Sequence, residues 1–85
     1  MSLLNQGYNR GAAITNSDSV NILTGQTDAI YVGTKGSTGT IVCVMADGTT
    51  YTLVGALAGT IYPLRVIRIN AATTDASNLV ALYIR

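Results

Sequence analysis

Ala58-Gly59-Thr60-Ile61-Tyr62-Pro63-Leu64-Arg65-Val66-Ile67-Arg68-Ile69-Asn70 is the longest β-prone run in the chain and holds two of its four arginines. Ile, Val and Tyr fit a pleated, half-buried surface, so residues 64–69 are predicted to form a strand. The pattern is not a clean alternation. Strand side chains repeat every two residues, so Leu64 and Val66 share one face while Ile67 and Ile69 share the other. Either both faces are covered, or a bulge near Val66-Ile67 switches them. Arg65 and Arg68 would lie on opposite faces of a regular strand, and a bulge would bring them to one side. Pro63 has no N–H to donate, which places it at the strand start or on an edge. Gly59 marks the preceding turn.

The rest of the chain reads as short strands punctuated by turns. Residues 40–46 and 49–54 flank Asp47-Gly48, the pair preferred by a two-residue type I′ hairpin. That turn predicts Ala46 opposite Thr49, Val44 opposite Tyr51 and Val42 opposite Leu53, with Thr50 and Thr52 facing solvent. Residues 40–46 are apolar on both faces, so a second cover is expected, from another chain or from folding over of the sheet. Residues 29–32 form a strand ending at Gly33, and residues 34–39 a Gly-rich flexible loop. Residues 20–23 read as a short strand, with a single capped helical turn as the alternative. Residues 71–78 are a polar loop, and residues 79–84 are a last strand, again apolar on both faces. About six short strands at regular spacing indicate an all-β fold, a small antiparallel β-sandwich or barrel.

Residues 1–19 show no sustained period. They are expected to form an extended N-terminal arm ahead of a β domain spanning 20–85, docking through the apolar anchors Leu3, Leu4, Tyr8 and Ile14.

At 85 residues with one cysteine and no histidine, neither a disulfide nor a zinc site can staple the fold. Oligomerisation is the remaining staple. The composition agrees, because 11% charged residues against 48% hydrophobic is little charge for a small monomer's surface. A net charge of +1 offers no basic field for a nucleic-acid backbone. No apolar segment reaches membrane-spanning length, and the start lacks the pattern of a signal peptide. The chain is therefore expected to be made in the cytoplasm, with no membrane partner.

The sequence is poor in catalytic chemistry. With no histidine and no glutamate, acid–base work would rest on Asp18, Asp28, Asp47 and Asp75, all in predicted turns. Cys43 sits mid-strand and reads as a small buried hydrophobe. Residues 33–39 resemble a phosphate loop only superficially, lacking its order and its following helix. No enzyme, cofactor or metal is expected. Tyr31, Tyr51 and Tyr62 with Arg65 and Arg68 allow an alternative, a small β-barrel that binds nucleic acid or carbohydrate.

Several segments in order resemble a family of small phage proteins. They are Asp18-Ser19, Ala29-Ile30-Tyr31-Val32-Gly33, Asp47-Gly48, Ala58-Gly59-Thr60-Ile61-Tyr62-Pro63-Leu64-Arg65-Val66, the Ala71-Ala72-Thr73-Thr74 loop and Leu79-Val80-Ala81-Leu82-Tyr83. The family comprises the spike-base and head-decoration (cement) proteins of tailed-phage-like particles, including gene transfer agents. The resemblance spans about residues 14–84. It implies a non-enzymatic virion structural subunit on the capsid exterior that caps or bridges capsomers or seats a fibre. The partners it implies are the major capsid protein, further copies of the chain as a trimer or pentamer, and a spike or fibre protein. Leu3, Leu4, Tyr8, Ile14, Tyr62, Arg65 and Arg68 are the expected capsid or subunit contacts.

Overall fold

The computed structural model describes residues 8–84 and is all-β. Seven strands run β1 (Arg10–Ala13), β2 (Ala29–Thr34), β3 (Ile41–Met45), β4 (Thr50–Leu53), β5 (Thr60–Tyr62), β6 (Val66–Ile69) and β7 (Ser77–Tyr83). They form two antiparallel sheets, one in the order β1-β7-β2-β5 and one in the order β4-β3-β6. The core lies between them. Ile30, Val32 and Leu79 from the first sheet meet Ile41, Cys43, Val66 and Ile69 from the second, all at 1% exposure or less. This is the sandwich solution to burying one face of each sheet.

The expected strand over 64–69 is divided. Residues 60–62 form β5 in the four-stranded sheet, and the chain then crosses to β6 in the three-stranded sheet. The crossing is a tight turn in which Leu64 N–H donates to the Tyr62 carbonyl across Pro63 (2.8 Å). A γ-turn of this kind suits proline, whose ring fixes φ near the value the central residue needs.

The bulge expected at Val66-Ile67 is present. Val44 pairs with Arg68 but Met45 pairs with Val66, which leaves Ile67 as the extra residue. The bulge explains the broken alternation, because Val66 and Ile69 both reach full burial although they are three apart.

Thr27 is the one fully buried polar residue among those described. Its hydroxyl donates to the Leu64 carbonyl (2.8 Å) and accepts from Val66 N–H (3.1 Å). Its backbone N–H donates to the Val66 carbonyl (3.0 Å). One side chain thus satisfies the backbone on both sides of Arg65, where the chain is between sheets and has no full ladder.

Three expectations change. Residues 20–23 are not a strand. The Ser17 hydroxyl accepts the N–H groups of Ser19 (3.2 Å) and Val20 (3.0 Å), a local alternative to a ladder. The segment instead borders the free edge of β6, with Ser17 N–H on the Ile69 carbonyl and Ile22 N–H on the Ile67 carbonyl, both at 2.8 Å. This covers an edge that would otherwise be open to pairing.

The stretch read as irregular before residue 20 also contains a strand. β1 pairs along its whole length with β7, and Arg10 lies over the Tyr83 ring at 4.4 Å.

The hairpin register is also one residue away from the expected one. Val44 faces Thr50, Cys43 faces Tyr51 and Val42 faces Thr52. The loop has three residues, Ala46, Asp47 and Gly48, closed by Gly48 N–H on the Met45 carbonyl (2.9 Å) and Met45 N–H on the Thr49 carbonyl (2.7 Å). Gly48 takes φ +91°, as the left-handed position of such a loop requires. The Asp47 carboxylate accepts both the backbone N–H (3.0 Å) and the hydroxyl (2.7 Å) of Thr49, which fixes this register.

The other aspartates also serve the backbone, as their turn positions predict. Asp18 accepts from Ala72 N–H (3.0 Å), and Asp28 accepts from Ile84 N–H (2.8 Å). Asp75 accepts from Thr38 N–H (2.7 Å), the Thr38 hydroxyl (2.8 Å) and Thr40 N–H (2.9 Å). The 34–39 loop is therefore tied down at its end. Gly39 (φ +67°) completes the tie, since a Cβ there would meet the Ala56 carbonyl oxygen at 2.5 Å.

Thr27→Val keeps the shape but strands a buried donor and a buried acceptor. It is expected to cost roughly 2–4 kcal/mol, while Thr27→Ser, which loses only a methyl, costs about 1 kcal/mol. Urea unfolding of the two variants measures this, and equal loss in both would refute the hydroxyl's role.

The hydrogen bonds from Thr38 and Thr40 hold the Asp75 carboxyl below its usual range. A depressed folded-state value stabilises the fold above the unfolded carboxylate's value of about 4, and that contribution is lost as pH falls through the lower folded value. The melting-temperature gap between wild type and Asp75→Ala should be wide at neutral pH and narrow on acidification. A gap that is constant with pH would contradict this.

Candidate interaction surface

Alternation along strands whose inner faces are known gives the outer faces directly. In the four-stranded sheet, Ile30 and Val32 of β2 and Leu79 of β7 point to the core. The intervening residues therefore face outward, and the pairings set them in rows. Ala13, Val80, Tyr31 and Ile61 form one continuous row across all four strands. Gly11, Leu82 and Ala29 form the next, in which Ala29 is fully buried and Leu82 half-buried. No charged residue falls in either row.

The other sheet behaves differently. Its outer face carries Thr50, Thr52, Val42, Val44 and Arg68, with both threonines exposed. The two edge strands thus put polar residues outward, while the central strand β3 puts Val42 and Val44 between them. Arg68 lies opposite Val44 in the register, and Val44 is only 5% exposed. The guanidinium donates from Nε to Asn70 Oδ1 (3.0 Å) and from Nη1 to Asn21 Oδ1 (3.3 Å).

The residues expected to make contacts do not gather in one place. Leu3 and Leu4 lie outside the described residues. Tyr8, just before β1, is exposed. Ile14, just after β1, is half-buried against the core and donates its N–H to the Leu79 carbonyl (2.9 Å). Tyr62 is on β5, at the opposite edge of the same sheet. It also packs against the core, and its hydroxyl accepts from Leu57 N–H (3.0 Å). Arg65 is exposed and lines a shallow depression of 330 Å³ with Met45, Ala46, Asp47 and Thr49. Arg68 is half-buried and held by its two asparagines.

The tyrosines and arginines of the alternative binding reading are likewise dispersed. Tyr31 is on the outside of one sheet, Tyr51 is on the β4 edge of the other, and Tyr62 is turned inward.

The Cys43 thiol is enclosed in the core, and burial pushes its pKa up to about 11, which keeps it in the unreactive protonated form. Among the described residues, no group of three or more His, Cys, Asp or Glu side chains is placed to hold a metal ion.

The outer-face row is what sequence reading missed. Its partial signal was the last strand, apolar on both faces, but the row itself depends on a register across four strands.

No protein-family model and no curated protein matches the chain. A solved structure does. One chain of a structure described as the capsid of a native GTA (gene transfer agent) particle, computed with C5 symmetry, superposes with a TM-score of 0.77 at 32% sequence identity, over 96% of this chain and 90% of that one. Identity of that order across nearly the whole of both chains reflects common descent as well as a common fold, and the chain belongs to the family of this gene transfer agent capsid-particle protein.

Proposed function

We propose that the chain is a non-enzymatic structural protein of a phage-like particle, seated on the capsid exterior as a decoration (cement) or spike-base subunit. The observation that carries this reading is the near-full-length relationship to a component of a GTA capsid particle. The partners proposed are the major capsid protein, further copies of the chain, and a spike or fibre protein mounted on it. The all-β build supports the reading, since the described residues form a two-sheet body suited to adhesion by shape. Each contact made by an 85-residue subunit is small. Attachment of an oligomer to a repeating shell multiplies such contacts, because every contact after the first is intramolecular.

Of the expected contact residues, Leu3, Leu4, Tyr8 and Arg65 are assigned to the capsid side. Tyr8 and Arg65 are exposed. Ile14 and Tyr62 pack against the core, and Arg68 is held by Asn21 and Asn70.

The test is co-sedimentation of the purified protein with empty heads of its own particle. Saturable binding at a fixed stoichiometry is expected, and a protein that stays in the supernatant would defeat the proposal. With five cationic and four anionic residues, the chain has little charge to commit to attachment. Occupancy should therefore change little between about 0.05 and 0.5 M salt, a range over which exposed charge contacts are strongly screened. A steep fall with salt would instead show that attachment rests on charged contacts. Arg65→Ala is expected to lower occupancy without changing the β-sheet circular dichroism, and full occupancy would remove Arg65 from the contact.

A further inference from the structure

The two sheets have four edge strands among the described residues, and three of these edges are guarded. β6 is covered by residues 17–22, with the Ser17 and Ile22 N–H groups on the Ile69 and Ile67 carbonyls. β5 is three residues long and is followed by Pro63, and β1 carries Arg10. Short length, proline and charge are the usual means of keeping an edge strand from pairing. The β4 edge has none of them. Thr50, Tyr51, Thr52, Leu53 and the following Val54 are uncharged, and four of the five are β-branched or aromatic.

Two features define what this edge offers. The first is backbone direction. Met45 N–H donates to the Thr49 carbonyl, so the bonds to β3 fall on every second residue from there, at Tyr51 and Leu53. The N–H and C=O groups of Thr50 and Thr52 therefore point away from β3, to the side where no strand pairs with β4. The second is Tyr51, which pairs with Cys43 and shares its inward face. Cys43 is fully buried, yet Tyr51 is 52% exposed and Val54 is 70% exposed. The three-stranded sheet is one strand narrower than the sheet it packs on, and its inner face is left half uncovered at β4.

We infer that the β4 edge takes up an extended, uncharged segment of the capsid partner as a fourth strand, an inference that rests on the capsid-exterior reading above. Open backbone groups at strand spacing are matched by another extended backbone. A charge laid against Tyr51 and Val54 would lose water and gain no partner, so the segment is uncharged like the edge. The β4 edge of a second copy is too small an occupant. At about 3.4 Å per residue and about 10 Å of sheet thickness, a four-residue edge gives roughly 140 Å², against about 800 Å² per partner in a specific interface. A segment of a larger partner adds its strand to contacts made elsewhere. Arg65, assigned to the capsid side, lines the same depression as Thr49, which immediately precedes β4. Bonds between backbones carry no net charge, so this mode of attachment agrees with the small salt dependence expected above.

The experiment is residue-resolved hydrogen–deuterium exchange of the full chain, free and bound to empty heads of its own particle. The Thr50 and Thr52 amides should exchange freely in the unbound chain and about tenfold or more slower on heads. Thr52→Pro removes an outward N–H, which an edge strand tolerates, and should keep the β-sheet circular dichroism. It should weaken head binding about tenfold, while Thr52→Val, which keeps the N–H, should bind as wild type does. If Thr52→Pro fails to fold, exchange in the wild type decides. A folded Thr52→Pro variant with wild-type occupancy would overturn the inference. So would protection already present in the free chain, which would mean that the chain itself or a second copy fills the edge. Heads that bind wild type without protecting Thr50 and Thr52 refute the added strand alone, whereas heads that do not bind at all refute the capsid reading with it.

Discussion

The fold depends on how the backbone is satisfied where it passes from one sheet to the other. Between Tyr62 and Val66 the chain leaves the four-stranded sheet and enters the three-stranded one, and no continuous ladder can serve both. Pro63 makes the corner, and Thr27 supplies the hydrogen bonds that the corner lacks, at the Leu64 carbonyl and at both backbone groups of Val66. Burying a polar side chain is favourable only when its bonds are made, and here a single hydroxyl makes two. The position of Thr27, immediately before β2, matters as much as its chemistry. It fastens the start of a central strand of one sheet to the start of an edge strand of the other, so the two layers are registered at one point.

From that point the remaining features follow in sequence. β6 begins at Val66 and meets β3 with a bulge, which lets both Val66 and Ile69 enter the core. Its outer edge needs cover, and residues 17–27 provide it with backbone bonds in place of a strand. The same segment leads into β2, while β1 before it closes on β7. Both ends of the described chain therefore lie in the four-stranded sheet, where Asn9 N–H donates to the Tyr83 carbonyl and Tyr83 is fully buried. The Tyr83 hydroxyl bonds Thr24 (2.6 Å) and the Gly25 carbonyl (2.9 Å), which ties the edge-covering segment to the last strand. Pairing of the first strand with the last makes the topology non-local, so the four-stranded sheet can form only after most of the chain is available.

Much of this was legible in the sequence because it is written in short-range patterns. β2, β3, β4 and β7 are marked by β-branched and aromatic runs, and the bulge is marked by the parity break between Val66 and Ile67. What was not legible depends on distant partners. β1 is Arg-Gly-Ala-Ala, which carries no β-forming residue and is a strand only because β7 pairs with it. Residues 60–69 look like one continuous strand until the Tyr62 carbonyl captures the Leu64 amide. Asp47-Gly48 suits both a two-residue and a three-residue hairpin loop. The choice falls to the Asp47 carboxylate, which takes the Thr49 amide and moves the pairing by one. Thr50 and Thr52 face solvent as expected, but the slip of one residue sets them opposite Val44 and Val42 in place of Met45 and Cys43.

The same reasoning explains why the candidate surface was the least legible part. A residue that is apolar in an irregular stretch or cationic in a strand looks like a contact when taken singly, and the fold uses several such residues internally. Ile14 and Tyr62 are committed to the core, and Arg68 is committed to Asn21 and Asn70. An interaction surface on a β-sheet is a property of rows that run across strands, and neighbours in a row are far apart in the chain. Ala13, Val80, Tyr31 and Ile61 are individually ordinary, and any of them could have been a core residue. They become a surface only when three pairings place them side by side and the alternation turns all four away from the core. The chain-wide shortage of charge was visible from the start, but where that shortage is concentrated is set by register. The two rows of the four-stranded sheet hold no charge, while the opposite layer sets exposed threonines and a half-buried arginine around Val42 and Val44.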